Sequence, residues 1–217
     1  MPQLDLIPLR FKIKAHRHLL TLTLLLVSVV VAVAVVVFES RLSEAVMTDV
    51  KTDLQDTGEQ IERQIQERLT RYRNDVRFLH ATPPVSGLPR ALNNAGIDPK
   101  DNTSDLQWKR RLETIFVAFL QNNIEYQQLR IVSTSEQGME LVRVDRIGGE
   151  IKVVDDLNLQ SKSDRDYFIS SALLSDREVY MSSISLNREF GKIEFPYRPM
   201  LRLSLPIFDE LGQRFGF

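Results

Sequence analysis

The sequence predicts an α+β chain tied to a membrane, and three observations carry that prediction. A run of twenty residues without a charge occupies Leu19–Phe38. An apolar stripe with a period of about 3.7 residues then continues from Val46 to Leu79, the spacing of one helix face. From Gln127 onward the period changes to two, the alternation of half-buried strands. Helices followed by hairpin-forming antiparallel strands make an α+β pattern.

The apolar run comes first because its chemistry is the least ambiguous. At about 1.5 Å per residue, a helix of that length covers roughly 30 Å, the hydrocarbon thickness of a bilayer. Its only side-chain polar atoms are the hydroxyls of Thr21, Thr23 and Ser28. Arg10, Lys12, Lys14 and Arg17 precede it with only Asp5 opposing them, whereas Glu39, Arg41, Glu44 and Asp49 follow. The positive-inside bias therefore predicts residues 1–18 as a cytoplasmic basic leader, 19–38 as a transmembrane helix, and the rest as exported. Ala32-Val33-Ala34 has the small-x-small form of a signal-peptide cleavage site. The run continues through Phe38, beyond the roughly 7–15 residues of a signal-peptide core, so an uncleaved anchor is expected. The expected location is a bacterial inner membrane with the exported part in the periplasm, which the absence of cysteine suits.

Composition narrows the chemistry of the exported part. The leader holds four of the chain's 28 basic residues and one of its 29 acidic ones, leaving 24 against 28 and a net charge of −4. Such a surface has no basic stripe, so nucleic acid is not an expected partner. The chain has no cysteine, which removes disulfides, thiolate metal sites and cysteine nucleophiles. Of three histidines, His16 and His18 belong to the leader and only His80 lies beyond the membrane run. The sequence shows no paired-histidine metal motif, phosphate-cradling glycine loop or nucleophile elbow. Asp155-Asp156 and Asp164 with Asp166 are acidic pairs without the spacing or glycine of a calcium loop. No catalysis, metal or cofactor is expected of this segment.

Residues 39–81 read as one long stalk helix, roughly 60 Å at 1.5 Å per residue. Its stripe runs through Val46, Val50, Leu54, Thr57, Ile61, Ile65, Leu69, Tyr72, Val76 and Leu79. The stripe suits packing on the chain's own domain, and its membrane-proximal turns also suit a dimer partner. Ala81-Thr82-Pro83-Pro84 stops the helix, and residues 83–103, rich in Pro, Gly, Asn and Asp, read as an irregular loop. Ser104 with Gln107 forms a capping box for a second helix, with Leu106, Leu112, Ile115, Phe116, Phe119 and Leu120 on one face and an end near Asn122-Asn123. Gln127–Thr134 and Met139–Asp145 read as strands joined at Ser135-Glu136-Gln137-Gly138. A third strand, Ile151–Val154, follows the Gly148-Gly149 turn. Asp164–Leu174 reads as a small helix, then Val179–Leu186 and Pro199–Phe208 as strands. Phe215-Gly216-Phe217 opens one more strand, so residues 82–217 are expected to be one lobe, incomplete at its C-terminus.

Several segments together resemble a known family. They are Tyr126-Gln127-Gln128-Leu129-Arg130-Ile131, Gly138-Met139-Glu140-Leu141-Val142-Arg143-Val144, and Leu159-Gln160-Ser161-Lys162-Ser163-Asp164-Arg165-Asp166-Tyr167-Phe168. Val179-Tyr180-Met181-Ser182, Leu186-Asn187-Arg188-Glu189, Gly191-Lys192-Ile193-Glu194 and Pro199-Met200-Leu201-Arg202 continue the series. Their order and spacing over residues 39–217 resemble the double-Cache, tandem PAS-like extracytoplasmic sensor of bacterial membrane histidine kinases, diguanylate cyclases and chemoreceptors. The variant found in histidine kinases and diguanylate cyclases is the more similar one. The resemblance implies a long helix leaving the membrane and a PAS-like antiparallel sheet lobe with a ligand pocket. It also implies a second lobe, a second membrane helix and a cytoplasmic output domain, none of them within these residues.

The resemblance further implies a site. Arg165 followed by Tyr167 stands where related sensors carry an arginine and aromatics that clasp a ligand carboxylate, although the tryptophan of the amino-acid-binding version is missing here. An arginine fork takes a carboxylate or phosphate bidentately, and tyrosines wall a pocket while offering a hydroxyl. Arg143, Tyr180, Ser182 and Arg202 are candidates to complete the site, since alternation puts Tyr180 with Ser182, and Arg202 with Ser204, on one face each. Plainer readings stand beside these. Arg143 with Glu140 or Glu194 makes a structural ion pair, Asn187 and Arg188 shape a turn, and Tyr126 and Tyr197 are core or rim aromatics.

The expected function is the sensory input of a signal transducer. Its partners would be a small ligand such as a carboxylate, or a periplasmic binding protein, with a second copy of the chain and the lipid bilayer. Its output would be a histidine kinase or, alternatively, a diguanylate cyclase. A single-anchor structural or dimerisation protein without output is the competing expectation.

Overall fold

The first helix, α1, is the longest element and spans Pro8–His80. The computed structural model describes residues 8–135 and 137–217, with side chains from His16 onward except Ala45. Residues 1–7 of the predicted leader and Glu136 of the predicted hairpin turn lie outside the described residues. The chain divides into two compact units between Gln66 and Glu67.

In the first unit every described side chain from His16 to Gln66 is exposed. Among the described residues, α1 is the helix long and apolar enough to cross a membrane, with mean hydropathy 3.0 in its most apolar window. Thr21, Thr23 and Ser28 donate their hydroxyls to backbone carbonyls three or four residues back. Their polar atoms are therefore satisfied within the helix, as a hydrocarbon surrounding demands.

The second unit begins with the last turns of α1, where Leu69, Tyr72 and Val76 are half-buried and Leu79 is buried. The stripe thus packs on its own domain only here, while Val46, Val50, Leu54, Ile61 and Ile65 stay exposed. The helix ends at His80, ahead of Pro83-Pro84, as predicted.

The predicted loop over 83–103 is corrected in part: Pro83–Leu92 form a helix, α2. Prolines at the first two positions remove only N–H groups that lack an intrahelical partner anyway. The helix buries Val85, Leu88 and Ala91, one face at a spacing of three. Gly87 lies under the Trp108 indole so closely that a Cβ there would sit 2.3 Å from Cε2. A short loop leads to α3, Asp105–Asn122, which starts with the predicted capping box of Ser104 and Gln107. Its buried face is Trp108, Leu112, Phe116 and Leu120. Leu106, expected inside, is 51% exposed, because the stripe begins at Trp108, which seats on Gly87 and donates Nε1–H to Asp98.

Three strands form the sheet: β1 (Gln128–Val132), β2 (Glu140–Ile147) and β3 (Glu150–Val153), antiparallel in that order. Ile131 and Val142 face each other across β1 and β2, as do Leu129 and Val144. These side chains join Leu112, Phe116 and Leu120 of α3 and Leu79 of α1 in the core.

Beyond β3 the chain carries α4 (Asp166–Ser171), shorter than predicted, and then strands of two or three residues. These are β4 (Tyr180–Met181), β5 (Ser185–Leu186), β6 (Arg188–Glu189), β7 (Lys192–Ile193), β8 (Pro199–Met200), β9 (Leu203–Ser204), β10 (Ile207–Phe208) and β11 (Arg214–Gly216). The predicted strand Val179–Leu186 faces Pro199–Ser204 along its length, but the register slips by one residue between Met181 and Ser185, and Pro199–Phe208 changes partner at Ile207. β8 pairs with β5, β9 with β4, and β10 with β11. Between them, Arg202 gives its N–H to the Ser182 hydroxyl, and Pro206 has no N–H to give. The predicted final strand is present as β11, and beside it Val132 and Phe217 exchange backbone hydrogen bonds.

Candidate ligand-binding site

The polar chemistry of the second unit lies on the sheet face away from α3, and a bulge places its central group. Ile131 pairs with Val142, but Val132 pairs with Glu140, so Leu141 is an extra residue. Leu141 and Val142 both pack on the core, and the alternation restarts with Glu140 on the opposite face. There the buried Glu140 carboxylate accepts from Arg130 Nη1 at 2.8 Å and from the Gln160 backbone N–H at 3.0 Å. Lys162 Nζ stands 3.5 Å away and Arg143 Nη1 3.6 Å away.

Arg143 is saturated by carboxylates. It meets Asp145 at 2.7 Å and Glu189 at 3.0 Å besides Glu140. The ion pair proposed from sequence with Glu140 is therefore present, widened to three acids, and Glu194 is not among them. Burial opposes the charge of Glu189, but Arg143 and Lys162 outweigh it and hold its pKa at about 2. Burial pushes the Lys162 ammonium pKa down, and Arg130 and Arg143 add to that.

A cavity of about 310 Å³ opens beside this network. One wall is apolar, with Val76 and Leu79 of α1, Phe116 of α3, Ile131 and Leu205. The other is formed by Arg130, Tyr167, Tyr180 and Arg202. The two guanidiniums lie over the Tyr167 ring, 5.7 Å and 5.5 Å from its centroid, and Arg130 also donates to the phenol oxygen at 3.2 Å. Burial raises the Tyr167 phenol pKa, so the phenol is neutral near pH 7.

Arg130 has Glu140 as counter-ion. The half-buried Arg202 donates only to neutral oxygens, Ser185 Oγ at 2.9 Å and Asn187 Oδ1 at 3.2 Å. Among the described residues it forms no ion pair. Burial, and then Arg130 beside it, push its pKa down, the signature of a cation short of an anion.

Three of the six residues singled out in the sequence, Tyr167, Tyr180 and Arg202, thus line one cavity. Ser182 positions the backbone instead: its hydroxyl accepts the Arg202 N–H and donates to the Ser183 carbonyl. Arg165 precedes α4, pairs with Asp164 at 3.4 Å, and adds its field to Tyr167 and Arg202. Arg143 borders a second cavity rather than this one. Arg130 was missed as a site residue. The signal was its place two residues from Gln128 in a strand, which puts both on the polar face.

The architecture of the second unit, an antiparallel sheet backed by helices with a cavity beside it, is that of a PAS-like sensor lobe. Residues 100–217 match the family of the bacterial histidine kinase sensor domain, and the chain belongs to that family. No curated protein matches it. Among solved structures, it resembles the extracellular domain assigned to a histidine kinase, vpHK1S-Z8, at 25% identity and TM-score 0.54. That likeness covers 71% of this chain and 49% of the other. A domain assigned to a sensory box/GGDEF family protein of Vibrio parahaemolyticus shares the fold at 24% identity and TM-score 0.55, covering 71% and 51%. The chain therefore spans about half the length of these structures. With the apolar span of α1, it is a membrane-anchored chain with an extracellular sensor domain.

Proposed function

We propose that this chain is the sensory input of a bacterial inner-membrane signal transducer, with residues 1–18 cytoplasmic and the sensor lobe periplasmic. A small organic anion enters the cavity between α1, β1 and Arg202, and its carboxylate lies against Arg202 and Arg130. Tyr167 and Tyr180 wall it, and Arg165 adds positive potential. The half-buried, anion-less guanidinium of Arg202 carries this reading. Because α1 supplies part of the cavity wall, a bound ligand favours one arrangement of α1 in a homodimer. A ligand shifts such an equilibrium only by its differential affinity for the two arrangements.

The output beyond this chain is a histidine kinase, in line with the matching family. A diguanylate cyclase is the second reading, favoured by the likeness to the sensory box/GGDEF protein.

The test is a thermal-shift screen of the whole chain in lipid nanodiscs with carboxylates, amino acids and sugars. A carboxylate at about a hundred times its Kd should stabilise the lobe by roughly 2.7 kcal/mol, and Arg202→Ala should abolish the shift. A folded protein that responds to no anion would replace this reading with a periplasmic binding protein as partner, or with a dimerisation role.

A further inference from the structure

The second cavity, also about 310 Å³, differs from the first in its electrostatics. Its wall carries three guanidiniums, Arg143, Arg146 and Arg198, and three carboxylates, Asp145, Glu189 and Glu194. Arg143 is taken up by Asp145 and Glu189. Arg146 donates to the backbone carbonyls of Tyr126 and Asn123, each at 3.2 Å, and to that of Leu120. Three positive and three negative groups leave the wall with no net charge to select an ion.

Hydrogen-bonding capacity does remain. Glu194 and Arg198 stand 3.9 Å apart, too far for a hydrogen bond, so their facing oxygen and N–H groups are open to a third party. The Asn158 amide borders the same space.

The rim adds an aromatic platform in a costly conformation. Phe190 lies at the tip of the β6–β7 hairpin with φ +48°, followed by Gly191 at φ +78°. A two-residue turn with both φ positive suits Asn-Gly, and a bulky residue in its first position is an outlier. Gln160 Oε1 holds the backbone there by accepting the Phe190 N–H at 3.0 Å, and the ring is left 73% exposed. An exposed aromatic residue at the rim of a charge-balanced wall with open hydrogen-bonding groups is an arrangement that suits a sugar. The ring face takes the apolar C–H side, and the wall takes the hydroxyls.

We propose that this second cavity binds a neutral polyhydroxylated small molecule, a monosaccharide or cyclic polyol, stacked on Phe190. The cavity lies at the lower end of the roughly 300–1,000 Å³ of small-molecule sites, which suits a single ring. Its occupancy does not depend on the anion reading of the first cavity, because the two differ in charge and in ligand class.

The experiment is saturation-transfer NMR on the whole chain in nanodiscs with D-glucose, D-galactose, D-ribose and myo-inositol. At least one should bind with a Kd below about 10 mM. Phe190→Gly removes the ring while relaxing the positive φ, so its melting temperature should hold or rise while affinity falls at least about tenfold. Asn158→Ala should weaken the same ligand, and Phe195→Ala, a still more exposed ring off the cavity, should not. No binding by any of the four would overturn the proposal. Equal affinity in Phe190→Gly would overturn it too, as would displacement of a bound sugar by a carboxylate that requires Arg202.

Discussion

Asp98 has no accessible surface, yet it remains ionised because four donors converge on it. Arg90 reaches it with Nε at 2.9 Å and Nη2 at 2.7 Å, the Trp108 indole N–H at 3.1 Å and the Lys100 backbone N–H at 3.0 Å. The Arg90 hydrogen bonds outweigh burial and hold its carboxyl below the usual range. Arg90→Ala would strand a buried carboxylate, and we expect a loss of about 3 kcal/mol in denaturant melts of the lobe. The pH dependence follows in sign. Asp98 and Glu189 both have folded-state pKa values below their unfolded ones. Their stabilisation is complete above the unfolded carboxylate values and is lost as pH falls through the folded ones, about 2 for Glu189. The melting temperature should therefore hold from pH 7 to about 5 and drop progressively below, and Glu189→Gln should shallow that drop.

The bulge in β2 is the element on which the polar face depends. Strict alternation would place Glu140 on the same side as Val142 and Val144, against α3. Leu141 as an extra residue turns Glu140 to the side of Arg130, Arg143 and Lys162. Deleting Leu141 would return a carboxylate to the apolar side without a partner. The expected result is loss of a cooperative unfolding transition by circular dichroism, whereas Leu112→Ala should keep cooperativity and lose about 2–5 kcal/mol. Only part of these elements was legible in the sequence. The capping box of α3 could be read because Ser104 and Gln107 are three residues apart and act locally. The helix α2 could not, because its prolines look like breakers until their place at the first turn is known. The long strand read at Pro199–Phe208 failed because alternation reports which side is buried, not which strand lies alongside.

At the scale of the whole molecule, α1 carries two kinds of surface. Leu19–Phe38 is apolar all round, while Val46, Val50, Leu54, Ile61 and Ile65 form an exposed stripe with charges between them. An exposed stripe of this kind is what a second copy would cover. The absence of native cysteine makes both topology and pairing measurable by single substitutions. In intact cells with a permeable outer membrane, Val50→Cys should react with an impermeant maleimide and Arg17→Cys should not. Under mild oxidation Val50→Cys should yield a disulfide-linked dimer. Labelling of Arg17→Cys would reverse the orientation, and absence of the cross-link would remove the dimer.

What the sequence determined by itself is whatever depends on local spacing and composition. That includes the membrane run, the helix ends at Pro83-Pro84 and Ser104, the change of period at Gln127, and the family likeness of the sensor lobe. Tyr167 could also be singled out through the family resemblance, and Tyr180 and Arg202 through strand alternation, as groups that suit a small anion. Only the tertiary structure decided which cations are spent. For Arg143 the sequence left a ligand contact and an ion pair with Glu140 or Glu194 both open; in the fold Asp145, Glu140 and Glu189 surround it, whereas Arg202 meets only neutral oxygens. Arg130 and Glu140 entered the network through strand pairing and a bulge. A guanidinium's role is set by the carboxylates that reach it across the fold, and those pairings arise from chain segments far apart in sequence.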